Sequence, residues 1–522
     1  MELLVDYFDD FVQAFVVGEV STREDAARLK KQLCKKHKLA RVPTNHEILE
    51  RVPEEYRDLV EPVLRNKPVR TLSGVAPVAV MTSPFDCPHG RCSYCPGGVT
   101  NNSPQSYTGR EPAALRASMN EFDPYRQTKA RLEQFRAIGH RTDKVDLIVM
   151  GGTFTSRPGD YQEWFVKRCF DAMNGRDSAD IVSAQLENEK AQSRCVGLTV
   201  ETRPDWFGER ELGTSMRLGA TKVEFGVQIL DDTVLDGVRR GHHVKEVVDG
   251  TRRAKDAGLK VCYHMMPGLP GSSKAKDLES FRMLFDDERF RPDMLKIYPT
   301  LVVKGTELYA IWLDGKYSPL GLDAAVELVS EMKKMVPPWV RILRIQRDIP
   351  VQLIEAGVRK SHLRELVMRK LSQDGTPCRC IRCREIGHVP STKEIPSDAR
   401  VELKETEYAA SGGREHFLSY ELPEFNSLIG YARLRFPGRS SDAAIVRELH
   451  VYGQMIPIDE KGGKHWQHRG FGASLLRESE SRARDSGFSE LLVTSGVGAR
   501  DYYRRLGYKN SGVYMSKTIS RD

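Results

Sequence analysis

The chain has 522 residues, 40% apolar and 29% charged, with 80 Lys and Arg against 72 Asp and Glu for a net charge of +8. That balance provides material for several folding units and excludes a disordered chain, a collagen-like repeat and a small disulfide-stapled scaffold. No run reaches the ~18 apolar residues of a membrane span, and the acidic start MELLVDYFDD lacks a basic region followed by an apolar one, so a cytoplasmic protein with no membrane partner is expected.

Residues 1–75 read as helical: apolar residues recur at helical spacing in 3–17, Ser21-Thr22 caps REDAARLKKQLCKKH, and a third segment follows PTNHE. Arg28, Lys30, Lys31, Lys35, Lys36, Lys38 and Arg41 carry no acid between them. Such a run is a solvated helix face unless the chain has a polyanionic partner. From 76 to 370, short β-rich runs alternate with amphipathic stretches. The strands are VAPVAVM, VDLIVM, VGLTVE, KVEFGV, LKVCYHMM, DMLKIYP and VRILRI. This alternation predicts a parallel α/β sheet covered by helices, either a full or partial barrel or an open doubly wound sheet. Residues 371–396 form a Cys, Gly and Pro-rich linker. Residues 397–522 read as antiparallel strands, then a helix GFGASLLRESESRARDSG, strand ELLVTSG, a short helix ARDYYRRLG and a last strand, a mixed α+β unit.

Ten cysteines in a chain of this kind are read for metals before disulfides. Cys87, Cys92 and Cys95 place three thiolates within nine residues of a loop that follows the first strand of the alternating region. No fourth ligand is evident beside them except His89, so the group suits three corners of a 4Fe-4S cluster with one iron open to a substrate. Cys378, Cys380 and Cys383 have the spacing of a zinc knuckle, with His362 or His388 nearest as a fourth ligand. A zinc there would lock the flanking domains together, and Arg369, Arg379, Arg382 and Arg384 around it offer a phosphate-facing alternative. Cys34, Cys169, Cys195 and Cys262 read as ordinary buried thiols.

On these residues the central region resembles the radical S-adenosylmethionine superfamily, whose fold is a partial (β/α) barrel. The superfamily's commonest cysteine spacing is three then two intervening residues, and here it is four then two. The resemblance implies that Gly151 and Gly152 hold the methionine amino group of S-adenosylmethionine. It also places Glu201, Arg203 and Gln228 in that cofactor site and lays MMPGLPG (265–271) over the adenine. The C-terminal region resembles the GCN5-related N-acetyltransferase family. Gln467-His468-Arg469-Gly470-Phe471-Gly472-Ala473 matches its pyrophosphate loop at a helix start, where backbone N–H groups and the helix dipole favour phosphate. That resemblance implies that Glu448, Leu449, His450 and Val451 contact the pantetheine arm of acetyl-CoA, and that Tyr502 or Tyr503 donates a proton near the sulfur.

Both signatures in one chain, with CRCIRCRE between them, resemble the Elongator catalytic-subunit family, and the compact cysteine loop resembles its archaeal and bacterial branch. The family implies radical formation from S-adenosylmethionine, hydrogen abstraction from the methyl group of acetyl-CoA, addition to C5 of a tRNA wobble uridine, and thioester hydrolysis to 5-carboxymethyluridine. It makes Lys144 a contact to acetyl-CoA from the barrel side, leaves Glu448 as a base for the hydrolytic water, and turns both basic clusters, 28–41 and 341–384, toward tRNA. Expected partners are therefore tRNA, acetyl-CoA and an electron donor, with a homodimer left open. Two alternatives stand beside this reading: a protein lysine acetyltransferase with a structural cluster, and a tRNA-binding scaffold whose cluster has lost its chemistry.

Overall fold

The structure is a computed structural model, and it describes residues 2–65, 71, 74–388, 395–396, 399–438, 441–452 and 470–519. At the N-terminus, helices Glu2–Val16, Arg23–Lys36 and Glu54–Leu64 bury Tyr7, Phe8, Phe11 and Phe15 against Leu33, Ile48 and Val60. Thr22 starts the second helix in a reciprocal capping box with Asp25, which satisfies two backbone donors at once. Arg65 ties this unit to the next by a 2.8 Å hydrogen bond from Nε to the Gly139 carbonyl.

Seven parallel strands then form one sheet in chain order: β1 (Ala76–Met81), β2 (Lys144–Met150), β3 (Arg194–Thr202), β4 (Lys222–Gln228), β5 (Lys260–Met265), β6 (Met294–Ile297) and β7 (Arg341–Ile345). Among the described residues β7 does not pair with β1, so the sheet is an open half-barrel with helices on its outer side. Strand alternation sorts its two faces. Val145, Leu147, Val149, Leu198, Val200, Val223, Phe225 and Val261 belong to the main hydrophobic core, on the outer face under the helices. Asp146, Lys222, Glu224, Lys260, Cys262, His264 and Lys296 occupy the alternate positions and face the lumen.

The second sheet contains β8 (Glu402–Ala410), β9 (Gly413–Leu422), β10 (Ser427–Phe436), β11 (Ala443–Val451), β12 (Glu490–Val493), β13 (Lys509–Ser511) and β14 (Tyr514–Thr518), in the order β8-β9-β10-β11-β12-β14-β13. Helix Phe471–Asp485 packs on β10 and β11 through Leu475, Leu476 and Ala483. Strands β11 and β12 run parallel and pair only from Ala443 to Val446, so they splay apart beyond that point. There the β10–β11 register shifts by one residue: Arg433 faces Glu448 and Leu434 faces Val446, which leaves Arg447 as the extra residue of a bulge. A bulge re-aims side chains, and here Arg447 and Glu448 both turn toward the half-barrel.

That face is ionic and buried. Arg447 donates to both oxygens of Asp293, at 2.8 and 2.6 Å, and to Glu415 at 2.8 Å. Arg435 joins Glu415 (2.9 Å) to Asp256 (2.6 Å), and Arg433 donates to Glu448 at 2.9 Å. Lys255 lies 4.0 Å from Asp293 and 3.9 Å from Glu415. Asp256, Asp293 and Lys255 belong to the barrel and the rest to the second sheet, so the network closes across the interface with each carboxylate facing a cation. Burial would raise the Asp293 carboxyl, but Arg447 and Lys255 hold it well below its ordinary value. Burial likewise opposes Lys260 and Arg433 at Glu448, and the two cations hold that carboxyl down to about 2.

Removing one partner of a buried ion pair costs roughly 3–5 kcal/mol because the other charge stays buried. Arg447→Met should therefore lower the unfolding free energy by about that amount in a denaturant titration. Carboxyls with depressed values stabilise the fold fully above the ordinary carboxyl range and lose that contribution as pH falls through the depressed value. The wild-type midpoint should thus fall between about pH 4.5 and about pH 2, the ordinary and shifted values for Glu448. The Arg447→Met curve should be flatter over that interval.

Candidate active site

The loop after β1 brings Cys87, Cys92 and Cys95 to the C-terminal edge of the half-barrel, with Cys92 and Cys95 buried and Cys87 partly exposed. The Cys95 sulfur accepts the Ser106 N–H at 3.1 Å, His89 Nε2 stands 3.2 Å from the Cys92 sulfur, and Arg240 Nη1 lies 3.8 Å from it. Arg240 is buried, and among the described residues it makes no ion pair with a carboxylate; its other hydrogen bonds go to the Gly226 carbonyl. Three thiols ringed by buried donors and a guanidinium fit a thiolate-bound cluster, whose net charge is negative. His89 hydrogen-bonds to a cysteine rather than standing apart as a fourth arm.

Beside the cysteines is a cavity of about 120 Å³ lined by Cys87, Gly152, Thr153, Glu201, Arg203 and Gln228, among others. Gly151 and Gly152 have φ of +127° and +95°, a region closed to ordinary side chains, and a Cβ on Gly151 would stand 2.2 Å from Thr82 Oγ1. Gln228 ends β4 at φ +74°, and its Oε1 is buried without a partner among the described residues. A strained backbone with an orphaned amide oxygen in a cavity marks a ligand position. Glu201 accepts from the Tyr107 hydroxyl at 2.8 Å and faces Lys296 at 3.3 Å. Arg203 is committed to Asp205 and to the carbonyls of Arg240 and Gly241, so it shapes the cavity wall with its donors already engaged.

The lumen residues below this cavity were read from sequence only as strand core. Glu224 is paired with Lys222 at 3.3 Å, with His264 at 2.8 Å and with Lys296. Cys262 joins Glu224 and His264 in a group with metal-like spacing. With Lys222 and Lys296 already on Glu224, that group is charge-balanced without an ion. The signal that finds these residues is the period-two placement of charge inside apolar strands: Lys222 and Glu224, Lys260 and His264, Lys296 and Tyr298.

A larger void of about 1240 Å³ follows the lumen away from the cysteines, lined by Asp146, Ile148, Lys222, Lys260 and Met294 and ending at Tyr431, Glu448, His450 and Tyr452. The two voids share Met150, Glu224 and Tyr298 as lining. Leu449 and Val451 complete β11, and Gly470, Phe471, Gly472 and Ala473 start the helix beside it, with Gly470 in the left-handed region at φ +89°. A Cβ on Gly472 would stand 2.7 Å from the Tyr502 hydroxyl, so Tyr502 faces the helix start. Tyr503 instead packs in the core with Tyr508 and Leu476. Burial pushes the Tyr502 phenol up to about 12. Gln467 lies outside the described residues. Lys144 sits at the N-terminal end of β2 and lines neither void.

In the linker, the sulfurs of Cys378, Cys380 and Cys383 lie within 4.8 Å of one another. Lys333 Nζ is 3.6 Å and Met368 Sδ 3.8 Å from the Cys383 sulfur. His362 is exposed at the start of helix Leu363–Gln373 and is not part of the group. Three thiols this close suit a single tetrahedral ion.

An open parallel half-barrel with three cysteines at its C-terminal edge, joined to a sheet whose splayed strands meet a glycine-started helix, defines a radical S-adenosylmethionine protein with an acetyltransferase domain. Residues 82–284 match the Radical SAM superfamily, 292–373 the Radical_SAM C-terminal domain, 4–72 the ELP3 N-terminal domain and 390–508 the Acetyltransferase (GNAT) family. The chain is 50% identical to the tRNA uridine(34) acetyltransferase of Methanocaldococcus jannaschii, over 91% of its own length and 90% of that protein's. It is 41% identical to human Elongator complex protein 3, over 99% and 98% of the two chains. The solved structure of archaeal Methanocaldococcus infernus Elp3 lacking residues 1–46 superposes with a TM-score of 0.76 at 45% identity, covering 86% of this chain and 100% of that one. The chain belongs to the Elongator complex protein 3 family.

Gly151→Ala tests the turn beside the cavity, where the added Cβ would meet Thr82 Oγ1. Overpacking of this kind costs about 1–3 kcal/mol, so affinity for S-adenosylmethionine should fall roughly tenfold or more in equilibrium binding, with iron content unchanged.

Proposed function

We propose that the chain modifies the wobble uridine of tRNA, using S-adenosylmethionine at the cysteine edge and acetyl-CoA at the second sheet, and that the product is 5-carboxymethyluridine. The observation that carries this reading is the shared lumen: the cavity at the cysteines and the void at Glu448 and His450 have walls in common. An acyl group presented by the second sheet and a radical made in the half-barrel would meet inside it. A protein lysine acetyltransferase would need neither that connection nor the Gly151-Gly152 turn.

Cys87, Cys92 and Cys95 would hold a 4Fe-4S cluster, which supplies the electron that cleaves S-adenosylmethionine. Gly152, Gln228 and Glu201 line the cavity that would receive that cosubstrate, and Gly151 makes the turn that leads into it. At the other end, the start of helix Phe471–Asp485 would receive the diphosphate of CoA, β11 would offer backbone groups to its pantetheine arm, and Tyr502, which faces that helix start, would protonate the leaving sulfur. Glu448 stays anionic between Arg433 and Lys260 and accepts a hydrogen bond from the attacking water. Cys378, Cys380 and Cys383 would hold zinc, with Lys333 offsetting its three thiolates.

For tRNA, the N-terminal cluster is the stronger candidate. Arg28, Lys36 and Arg41 are paired with Asp25, Asp10 and Glu47, and Lys30 hydrogen-bonds Asn45. Lys31, Lys35 and Lys38 are exposed, and Lys31 and Lys35 lie one helical turn apart. In the 341–384 cluster much of the charge turns inward: Arg341 to Glu385, Arg384 to Glu421, Arg364 to the Ile342 carbonyl.

Anaerobic incubation with tRNA, S-adenosylmethionine, reductant and methyl-labelled acetyl-CoA should place label on uridine as a carboxymethyl group. Cys92→Ala should abolish it in nucleoside mass spectrometry. Label on protein lysines with none on tRNA would make the chain a protein acetyltransferase. Replacing Lys31 and Lys35 by Glu should weaken tRNA binding and reduce the slope of log affinity against log salt by roughly two. An unchanged slope would return that cluster to a solvated face.

A further inference from the structure

Gln228 has a counterpart three strands away. Gln346 follows β7 directly, as Gln228 ends β4, and the two have φ of +82° and +74°. The Gln346 N–H donates to the Ile297 carbonyl at 2.8 Å, which keeps the residue in line with the sheet. Its side chain lines the larger void and is only 9% exposed. Nε2 donates to the Val358 carbonyl at 3.4 Å, whereas Oε1 is buried with no partner among the described residues. Turning the amide over would set two carbonyl oxygens against each other, so the acceptor is the end left open. An unpaired buried acceptor on a strained residue marks a place where a ligand supplies the donor.

The surroundings narrow that ligand. Strand β7 runs from the second sheet toward the cysteine edge. Arg341, at its start, donates to the Tyr452 hydroxyl. Gln346 stands five residues further on, roughly 16 Å away at the rise of a strand. Tyr298, Arg344, Arg347 and Asp348 line both voids, so Gln346 is beside their junction. Arg344 is paired with Asp348, and Arg347 donates to the Ser106 carbonyl. The group left open at the junction is therefore an acceptor, and it calls for an N–H.

We propose that Gln346 is a specificity-determining residue that reads the target base, its Oε1 accepting the N3–H of the uracil to be modified. This rests on the reading of the chain as a tRNA wobble-uridine enzyme. Bases splayed out of a loop are held by hydrogen bonds on the Watson–Crick edge and by aromatic rings against the face. Gln346 supplies the edge contact, and Tyr298 offers a ring at the same junction. Holding N3 leaves C5, on the opposite edge of the base, free to react. Cytosine carries a lone pair at N3, which would face the Oε1 lone pairs, so the contact also selects uridine over cytidine.

The test compares tRNA carrying uridine or 3-methyluridine at position 34, with methyl-labelled acetyl-CoA, S-adenosylmethionine and reductant, read by nucleoside mass spectrometry. A good base contact gives roughly ten- to hundredfold discrimination, so the wild-type chain should prefer uridine by that factor in kcat/KM. Gln346→Leu should lose about that factor on uridine and little on 3-methyluridine, with S-adenosylmethionine affinity unchanged because Gln346 lies outside that cavity. The methyl group alters the base's own reactivity alike for every variant, so the change in ratio isolates the contact. Gln346→Glu, whose protonated carboxyl can donate to Val358 and keep an acceptor in place, should retain the preference. A Gln346→Leu chain that loses the same factor on both substrates overturns the proposal, because a merely structural role lowers both alike. A wild-type chain that labels both nucleosides at one rate overturns it without any variant. A wild-type chain that labels no tRNA overturns the tRNA reading and this proposal together, whereas labelled uridine without dependence on N3–H overturns this proposal alone.

Discussion

The architecture depends on the charges buried between the two sheets. Asp293 lies just before β6, accepts the Val261 N–H of β5 at 2.8 Å, and receives both donors of Arg447 from the second domain. A carboxylate that joins two barrel strands and clamps a guanidinium from the other domain fixes their relative position. A hydrophobic interface of similar area would hold the domains together as firmly, but it tolerates sliding. Fork-shaped guanidinium pairs with their directional hydrogen bonds do not. The bulge at Arg447 is what makes this possible, because regular alternation would send Arg447 and Glu448 to opposite faces of β11.

The same clamp decides what faces the lumen. Glu448 is held anionic by Arg433, which is itself anchored to the Trp339 carbonyl on the barrel side at 2.8 Å. The Glu448 carboxylate and the Lys260 ammonium thus come from different domains and border one void. Charges lining a half-barrel interior are expensive, and the structure meets that cost by pairing: Lys222 with Glu224 on the same strand, and Glu224 with Lys296 two strands away. The lumen is therefore a polar passage with fixed charges rather than a packed core.

Much of this was legible in the sequence. The half-barrel follows from seven apolar runs separated by amphipathic stretches, and Cys87, Cys92, Cys95, Gly151-Gly152 and the glycines at 470 and 472 mark the loop edge and the helix start that the structure brings to the two ends of the lumen. What was missed has a common cause. LKVCYHMM and KVEFGV read as core strands because their outer faces are apolar. Only pairing partners on neighbouring strands show that Lys260, His264, Lys222 and Glu224 line a lumen. Likewise the run from Arg341 to Arg384 has the composition of a phosphate-binding surface, yet Arg341 and Arg384 are consumed by Glu385 and Glu421. Charge counting along a chain cannot distinguish a surface from an interface, because the compensating carboxylates lie elsewhere in sequence. Of two adjacent tyrosines, packing alone separates Tyr502, at the helix start, from Tyr503, in the core.

The two cysteine triads share a residue type and differ in geometry. Thiolates bound to one tetrahedral ion at 2.3 Å must approach to about 3.8 Å of one another. Cys378, Cys380 and Cys383, gathered within 4.8 Å, are already close to that spacing. Cys87, Cys92 and Cys95 form no such tight group, and thiolates on separate irons of a cubane need none. The compensating cations differ in the same sense. Lys333 points at Cys383 from the helix Leu322–Met335, and the linker cysteines line neither void. Arg240 reaches Cys92 from the wall of the cavity that contains Gly152 and Gln228, so any charge at the cysteines is felt in that cavity. One triad lines neither void, and the other opens on a cavity through Cys87.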